Sequence, residues 1–166
     1  MQIQLVTYLK FLLKSTNQHG VHSPFVFNYL TKCLYKEPRK SKEKTLDILI
    51  KSLIYFGFNN IKIIGNPSFK KELQEQFVNL DFNSQKIDML LVEASHHIEF
   101  ETIFSKYELH NDSLIVFNNI YRSESEHAYW NTIIKSEKVT VSIDMYYCGV
   151  IFIRKEQRKE HFTIRI

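Results

Sequence analysis

The sequence predicts an α/β fold, with a mostly parallel sheet flanked by helices and an antiparallel hairpin at the sheet edge. Three observations carry this. Two apolar runs, Met89 to Val92 and Leu114 to Phe117, stop abruptly at polar groups, as buried strands do. Segments with apolar residues at helical spacing alternate with them. The last thirty residues are β-branched and aromatic in three short stretches, so strands close the chain. Two or three helices followed by βαβαβα and an antiparallel finish argue for a sheet covered on both faces.

Taken in order, Ile3, Val6, Leu9 and Leu13, widened by Leu5 and Leu12, predict an amphipathic helix over residues 3–15 that needs a partner surface. Ser23 is a good N-cap and Pro24 suits the first helical position, where a missing N–H costs nothing; a second helix follows through about Tyr35, burying Phe25, Val26, Tyr29, Leu30, Cys33 and Leu34. Residues 36–44, with Pro38, are a loop. Leu46, Leu49, Ile50, Leu53 and Ile54 predict a helix over 45–56 that Gly57 terminates. A short strand at 60–64 ends at Gly65, and residues 67–78 form a helix with Phe69, Leu73 and Phe77 on one face. After the strand at 87–92, residues 98–107 are helical. The strand leading to Asn118 comes next, then a helix over 123–135 burying Tyr129, Trp130, Ile133 and Ile134. Strands are predicted at 139–144, 147–154 and 161–166.

Composition bounds the function. At 166 residues with 44% apolar content, 13 Phe and 9 Tyr, one ordinary globular domain with a substantial core is expected. Cys33 and Cys148 form no CxxC unit, which favours a reduced, cytoplasmic setting. The net charge of +4 is gathered in residues 39–44 and 154–159, but both runs contain Glu and sit where a linker and a hairpin turn are expected. They read as solvated loops, and no aromatic-basic interleaving of a nucleic-acid module accompanies them. Residues 1–14 lack a basic start and a small-residue cleavage site, so no signal peptide is expected, and no segment has the uninterrupted apolar length of a membrane span.

The chemistry-bearing residues gather where strands end. In open α/β sheets, ligands lie outside the carboxyl ends of the strands. One strand delivers Glu93, Ser95, His96 and His97 to its end, and the other delivers Asn118 and Asn119. Glu93 and His96 are candidate acid–base residues, His96 because imidazole exchanges protons near neutral pH. The bland alternative is that these groups cap the next helix and hydrogen-bond one another. His19 and His22, three apart, lack the further ligands zinc requires and read as fixing a turn between helices. No metal is expected.

The segments His19-Gly-Val-His-Ser-Pro-Phe-Val-Phe27, Ala128-Tyr-Trp130, Val139-Thr-Val-Ser-Ile-Asp144, Gly149-Val-Ile-Phe152 and Arg154-Lys-Glu-Gln157 with His161-Phe162 together resemble a bacterial family of class I S-adenosylmethionine-dependent methyltransferases. The resemblance covers roughly residues 1–35 and 58–166. It implies a Rossmann-like sheet with the cofactor across the carboxyl ends of the first strands, approached through a glycine-rich turn, with an acid after the second strand holding the ribose. This chain has four glycines, no two of them close enough for a GxG turn, and only Gly65 follows a strand and precedes a helix. If the strand at 60–64 is the family's first, the turn has decayed to Gly-Asn-Pro-Ser. If it is the third, which residues 57–65 resemble more closely, the first two strands are deleted; residues 36–57 are too few for two strand–helix units, which favours deletion. Where the family carries paired aspartates, this chain has Asn118 and Asn119. Glu93-Ala94 replaces an aspartate-glycine pair, with His96 kept. Amides supply only neutral oxygens to a hard cation.

The resemblance therefore implies an N-terminal helical extension over 1–36 and a reduced methyltransferase-like domain over 37–166. The expected function is a structural or partner-binding one, cofactor binding and catalysis having been lost, with Glu93, His96, Asn118 and Asn119 as vestiges of the site and no cofactor expected. A homodimer, or docking on a related intact methyltransferase, would cover surface that a shortened sheet leaves open. The alternative is an active methyltransferase that binds S-adenosylmethionine through Gly65 in an atypical pocket. Neither a membrane nor nucleic acid is an expected partner.

Overall fold

The computed structural model describes residues 2–166, with side chains described from Leu5 onward. Twelve elements matter here: α1 (Gln2–Lys14), α2 (Pro24–Tyr29), α3 (Lys44–Phe56), β1 (Ile61–Ile64), α4 (Pro67–Gln76), β2 (Lys86–Glu93), α5 (Phe100–Lys106), β3 (Glu108–Asn118), α6 (Glu124–Ile133), β4 (Val141–Asp144), β5 (Cys148–Phe152) and β6 (Glu160–Thr163). The strands form one open, mixed sheet in the order β1-β2-β3-β5-β4-β6. β1, β2 and β3 are parallel; β5 is antiparallel to both β3 and β4, and β6 is parallel to β4.

Side chains alternate across the sheet, so each strand feeds two cores. Met89, Leu91, Leu114, Val116, Val150 and Phe152 face α2, α3 and α4, whose Tyr29, Leu49, Leu53, Phe69 and Leu73 join the same cluster, with Leu30 just after α2. Leu90, Val92, Ile115, Phe117 and Ile151 face the opposite way, against Phe100 and Ile103 of α5 and Trp130 and Ile133 of α6. The result is a layer of helices on each side of the sheet. Gly149 makes the second core close: a β-carbon there would lie 2.4–2.7 Å from three atoms of the Trp130 ring.

Several elements differ from the sequence expectation, each for a physical reason. The second helix stops being α-helical at Tyr29 and passes into a π-turn, Leu30–Leu34, in which the Tyr35 N–H reaches the Leu30 carbonyl at 2.9 Å. The Leu34 carbonyl that this turn releases accepts from Lys51 Nζ at 3.0 Å, and the buried Lys51 also pairs with Asp47 at 2.9 Å. In α3 the predicted core residue Ile54 is exposed, and Gly57, at φ 67°, ends the helix as expected. The predicted stripe on α1 points outward: Leu5, Val6, Leu9 and Leu13 are exposed and Phe11 is the buried contact, while the side chain of Ile3 lies outside the described residues. Phe11 and Tyr8 pack instead on Tyr146, at ring separations of 5.4 and 4.8 Å.

The C-terminal hairpin is β4–β5, but it is not the edge. β5 enters between β3 and β4, and β6 then crosses to the far side of β4, so the basic run at 154–159 lies on a crossover connection instead of a hairpin turn. Beyond β6, Thr16 forms a one-residue parallel bridge to Ile164; beyond β1, Asn60 bridges Asp81 in the same way. At the turn after α1, Asn17 caps the 3-10 turn Gln18–Gly20 by accepting from the His19 N–H at 3.1 Å. The His19 ring contributes as well, its Nε2 lying 3.3 Å from the Gln18 side-chain amide, while His22 is exposed.

Candidate functional site

The register of β1, β2 and β3 ends the three parallel strands side by side: Ile64 is opposite Val92, Val92 opposite Phe117, and Glu93 opposite Asn118. Gly65, Glu93, His96, Asn118 and Asn119, the five residues singled out by sequence, therefore meet at one place. Glu93 is only 7% exposed, and its carboxylate accepts three amide N–H bonds. Asn66 Nδ2 donates to Oε2 at 3.2 Å, Asn118 Nδ2 to the same oxygen at 3.0 Å, and Asn119 Nδ2 to Oε1 at 2.6 Å.

Each amide is placed by its own backbone. Asn66 is the N-cap of α4, its Oδ1 accepting from the Phe69 N–H at 3.2 Å and from the Ser68 hydroxyl at 2.8 Å, which turns Nδ2 toward Glu93. Asn119 sits at φ 60°, a left-handed position asparagine tolerates, and its N–H donates to the Tyr147 carbonyl at 2.8 Å. Asn118 completes β3 and is 3% exposed, with Oδ1 buried and without a partner among the described residues. Asn66 was not singled out from sequence; the signal was its position just before Pro67, where an N-cap belongs.

Gly65 has φ 87°, and the space over it is filled by His96. A β-carbon on Gly65 would stand 2.2 Å from His96 Cε1, 2.6 Å from its Nδ1 and 2.9 Å from the Glu93 β-carbon. The neighbouring His97 turns away, stacked on Tyr129 at 5.2 Å with its Nε2 3.2 Å from the Ser125 hydroxyl. The cluster thus holds one carboxylate already surrounded by donors of the same chain. Among the described residues, no group of three or more His, Cys, Asp or Glu is placed to hold a metal.

A second polar group, not foreseen from sequence, lies at the carboxyl end of β4. Asp144 is 3% exposed; its Oδ2 accepts the Tyr121 hydroxyl at 2.7 Å and its Oδ1 the Tyr146 N–H at 2.9 Å. Burial raises the Asp144 carboxyl above its ordinary range, with the hydrogen bonds from Tyr121 and Tyr146 opposing. Desolvation pushes both His127 and His161 below the usual imidazole range, with the charge of Asp144 opposing. These side chains border a cleft of about 460 Å³ roofed by α1. Its members run from Thr7 to Thr163, so only the tertiary fold assembles them.

No protein-family model, curated protein or solved structure matches the chain. No helix among the described residues is long and apolar enough to cross a membrane.

Proposed function

We propose that the chain is a methyltransferase-like protein without cofactor binding or catalysis, acting as a structural or partner-binding subunit in the cytoplasm. The observation that carries this is His96 over Gly65. A glycine after the first strand serves a cofactor only if its open face admits the ligand backbone-close; here the chain's own imidazole takes that face. Glu93, bound by three amides, supports the same reading, because its oxygens are directed at Asn66, Asn118 and Asn119.

The strand order bears on which part of a Rossmann-like sheet is missing. In the doubly wound order 3-2-1-4-5-6 the first strand neighbours the fourth. β1 pairs directly with β2, so its position favours the first strand over the third, with the second and third lost after it. The outward stripe of Leu5, Val6, Leu9 and Leu13 on α1 supports the partner-binding half of the proposal, with a second copy or an intact related methyltransferase as the partner.

Calorimetry with S-adenosylmethionine and S-adenosylhomocysteine tests the reading. No heat of binding is expected, alongside concentration-dependent mass in sedimentation that a Leu9→Glu, Leu13→Glu variant abolishes. Micromolar binding of either cofactor would establish the alternative, an active methyltransferase with an atypical pocket at Gly65 and Glu93.

A further inference from the structure

The cleft under α1 differs from the Glu93 cluster in one respect: its charged and polar side chains line an open space. Its volume of about 460 Å³ lies within the range of small-molecule pockets. Two cations line it. Lys10 and Lys14 sit one helical turn apart on α1, both exposed, and neither has an acidic partner within ion-pair distance among the described residues. One carboxylate lines it as well. Asp144 engages Tyr121 and Tyr146 with one oxygen each, which leaves a lone pair on each oxygen.

Groups with both donors and acceptors complete the lining. His127 stacks on Tyr121 at 4.2 Å and has its Nδ1 buried without a partner. His161 uses Nδ1 on the Ser142 hydroxyl at 2.9 Å, and Asn131 and Thr163 line the same wall. Phe11 and Tyr121 give the cleft an apolar side.

We infer that this cleft binds a small phosphorylated polyol of the sugar-phosphate class, the phosphate on Lys10 and Lys14 and the hydroxyls toward Asp144, His127 and Asn131. The mixed charge of the lining selects this class. A phosphate suits two unpaired ammonium groups. An anion filling the whole space would meet the Asp144 carboxylate, whereas hydroxyls donate to it. A cationic ligand would meet the lysines.

The test is a ¹H–¹⁵N titration of the full chain with glucose 6-phosphate, ribose 5-phosphate, glucose and inorganic phosphate. Saturable shifts with one of the sugar phosphates are expected, mapping to α1, His127 and Asn131 and exceeding in affinity both glucose and phosphate. The Lys10→Glu, Lys14→Glu variant, altered only at exposed positions, should keep the spectrum of the folded protein and bind about tenfold or more weakly. His127→Ala should weaken binding without moving the phosphate dependence on salt. The inference is overturned by no saturable shift with either sugar phosphate, by shifts mapping elsewhere, by phosphate alone binding as tightly, or by unchanged affinity in the double variant.

Discussion

Asn118 donates its amide to Glu93 at 3.0 Å while its own carbonyl oxygen is buried with no partner among the described residues. The orientation follows from charge, since the flipped amide would set Oδ1 against the carboxylate. The amide at this position thus donates to a buried acid that a second carboxylate would repel.

Asn118→Asp reverses that relationship. It removes a donor to a buried charge and places two carboxylates together, so the variant should lose about 2 kcal/mol or more at pH 7. The loss should shrink as the pH falls, because one of the pair takes up a proton before either would alone. Urea unfolding at pH 7 and at pH 4.5 checks this; a loss independent of pH would show that shape, not charge, fixes the residue.

Gly149→Ala tests the contact between β5 and α6. The added methyl meets the Trp130 ring inside ordinary contact distance, and overpacking of this kind costs about 1–3 kcal/mol. Trp130 is the chain's one tryptophan and is 1% exposed, so its fluorescence reports the site directly. A destabilised protein with red-shifted emission is expected.

Asp88 ties the starts of three strands together. Its Oδ2 accepts from the Asn59 and Asn60 N–H groups at 2.9 and 2.8 Å, and its Oδ1 lies 3.0 Å from His110 Nε2. Burial opposes ionisation, but these donors outweigh it and hold the carboxyl below its ordinary range. A lowered folded-state pKa means stability that is present above the unfolded value, about 3.9, and lost as the pH falls through the folded one. Asp88→Asn should therefore be less stable than the parent at pH 7 and at pH 5, with the gap closing at pH 3. A gap that is constant across these three urea titrations would contradict the role assigned to the charge.

The strands and most helices were legible because apolar runs and caps are local: Leu114 to Phe117 reads as a buried strand in any context, and Ser23, Asn66 and Ser123 cap α2, α4 and α6 where capping residues should. The gathering of Gly65, Glu93, His96, Asn118 and Asn119 was legible for the same reason, since parallel strands in register bring their ends together. Placement was not. The direction of the α1 stripe depends on Phe11 finding Tyr121 and Tyr146, more than a hundred residues away, and the periodicity of the helix is the same whichever side is buried. Ser113, Asn111 and His110 are polar and carry no strand pattern; the Ser113 hydroxyl donates to the Ile87 carbonyl at 2.7 Å, and β3 begins at Glu108. Asp144 was visible only as a strand terminus until β6 and α1 closed over it.

The single-residue bridges at Thr16 and Asp81 set how a second protein can meet this one. Thr16 gives its N–H to the Thr163 carbonyl and takes one from Arg165, and Asp81 gives its N–H to the Asn59 carbonyl and takes one from Ile61. Both margins of the sheet therefore have part of their hydrogen-bonding capacity occupied by the chain's own loops, and both outermost strands are four residues long. Strand addition, which needs a run of unpaired backbone groups, finds no long template at either margin. If the chain associates as proposed, through the exposed apolar side chains of α1, apolar-to-charged changes on that helix should disturb the association, and proline changes at the sheet margins should leave it intact.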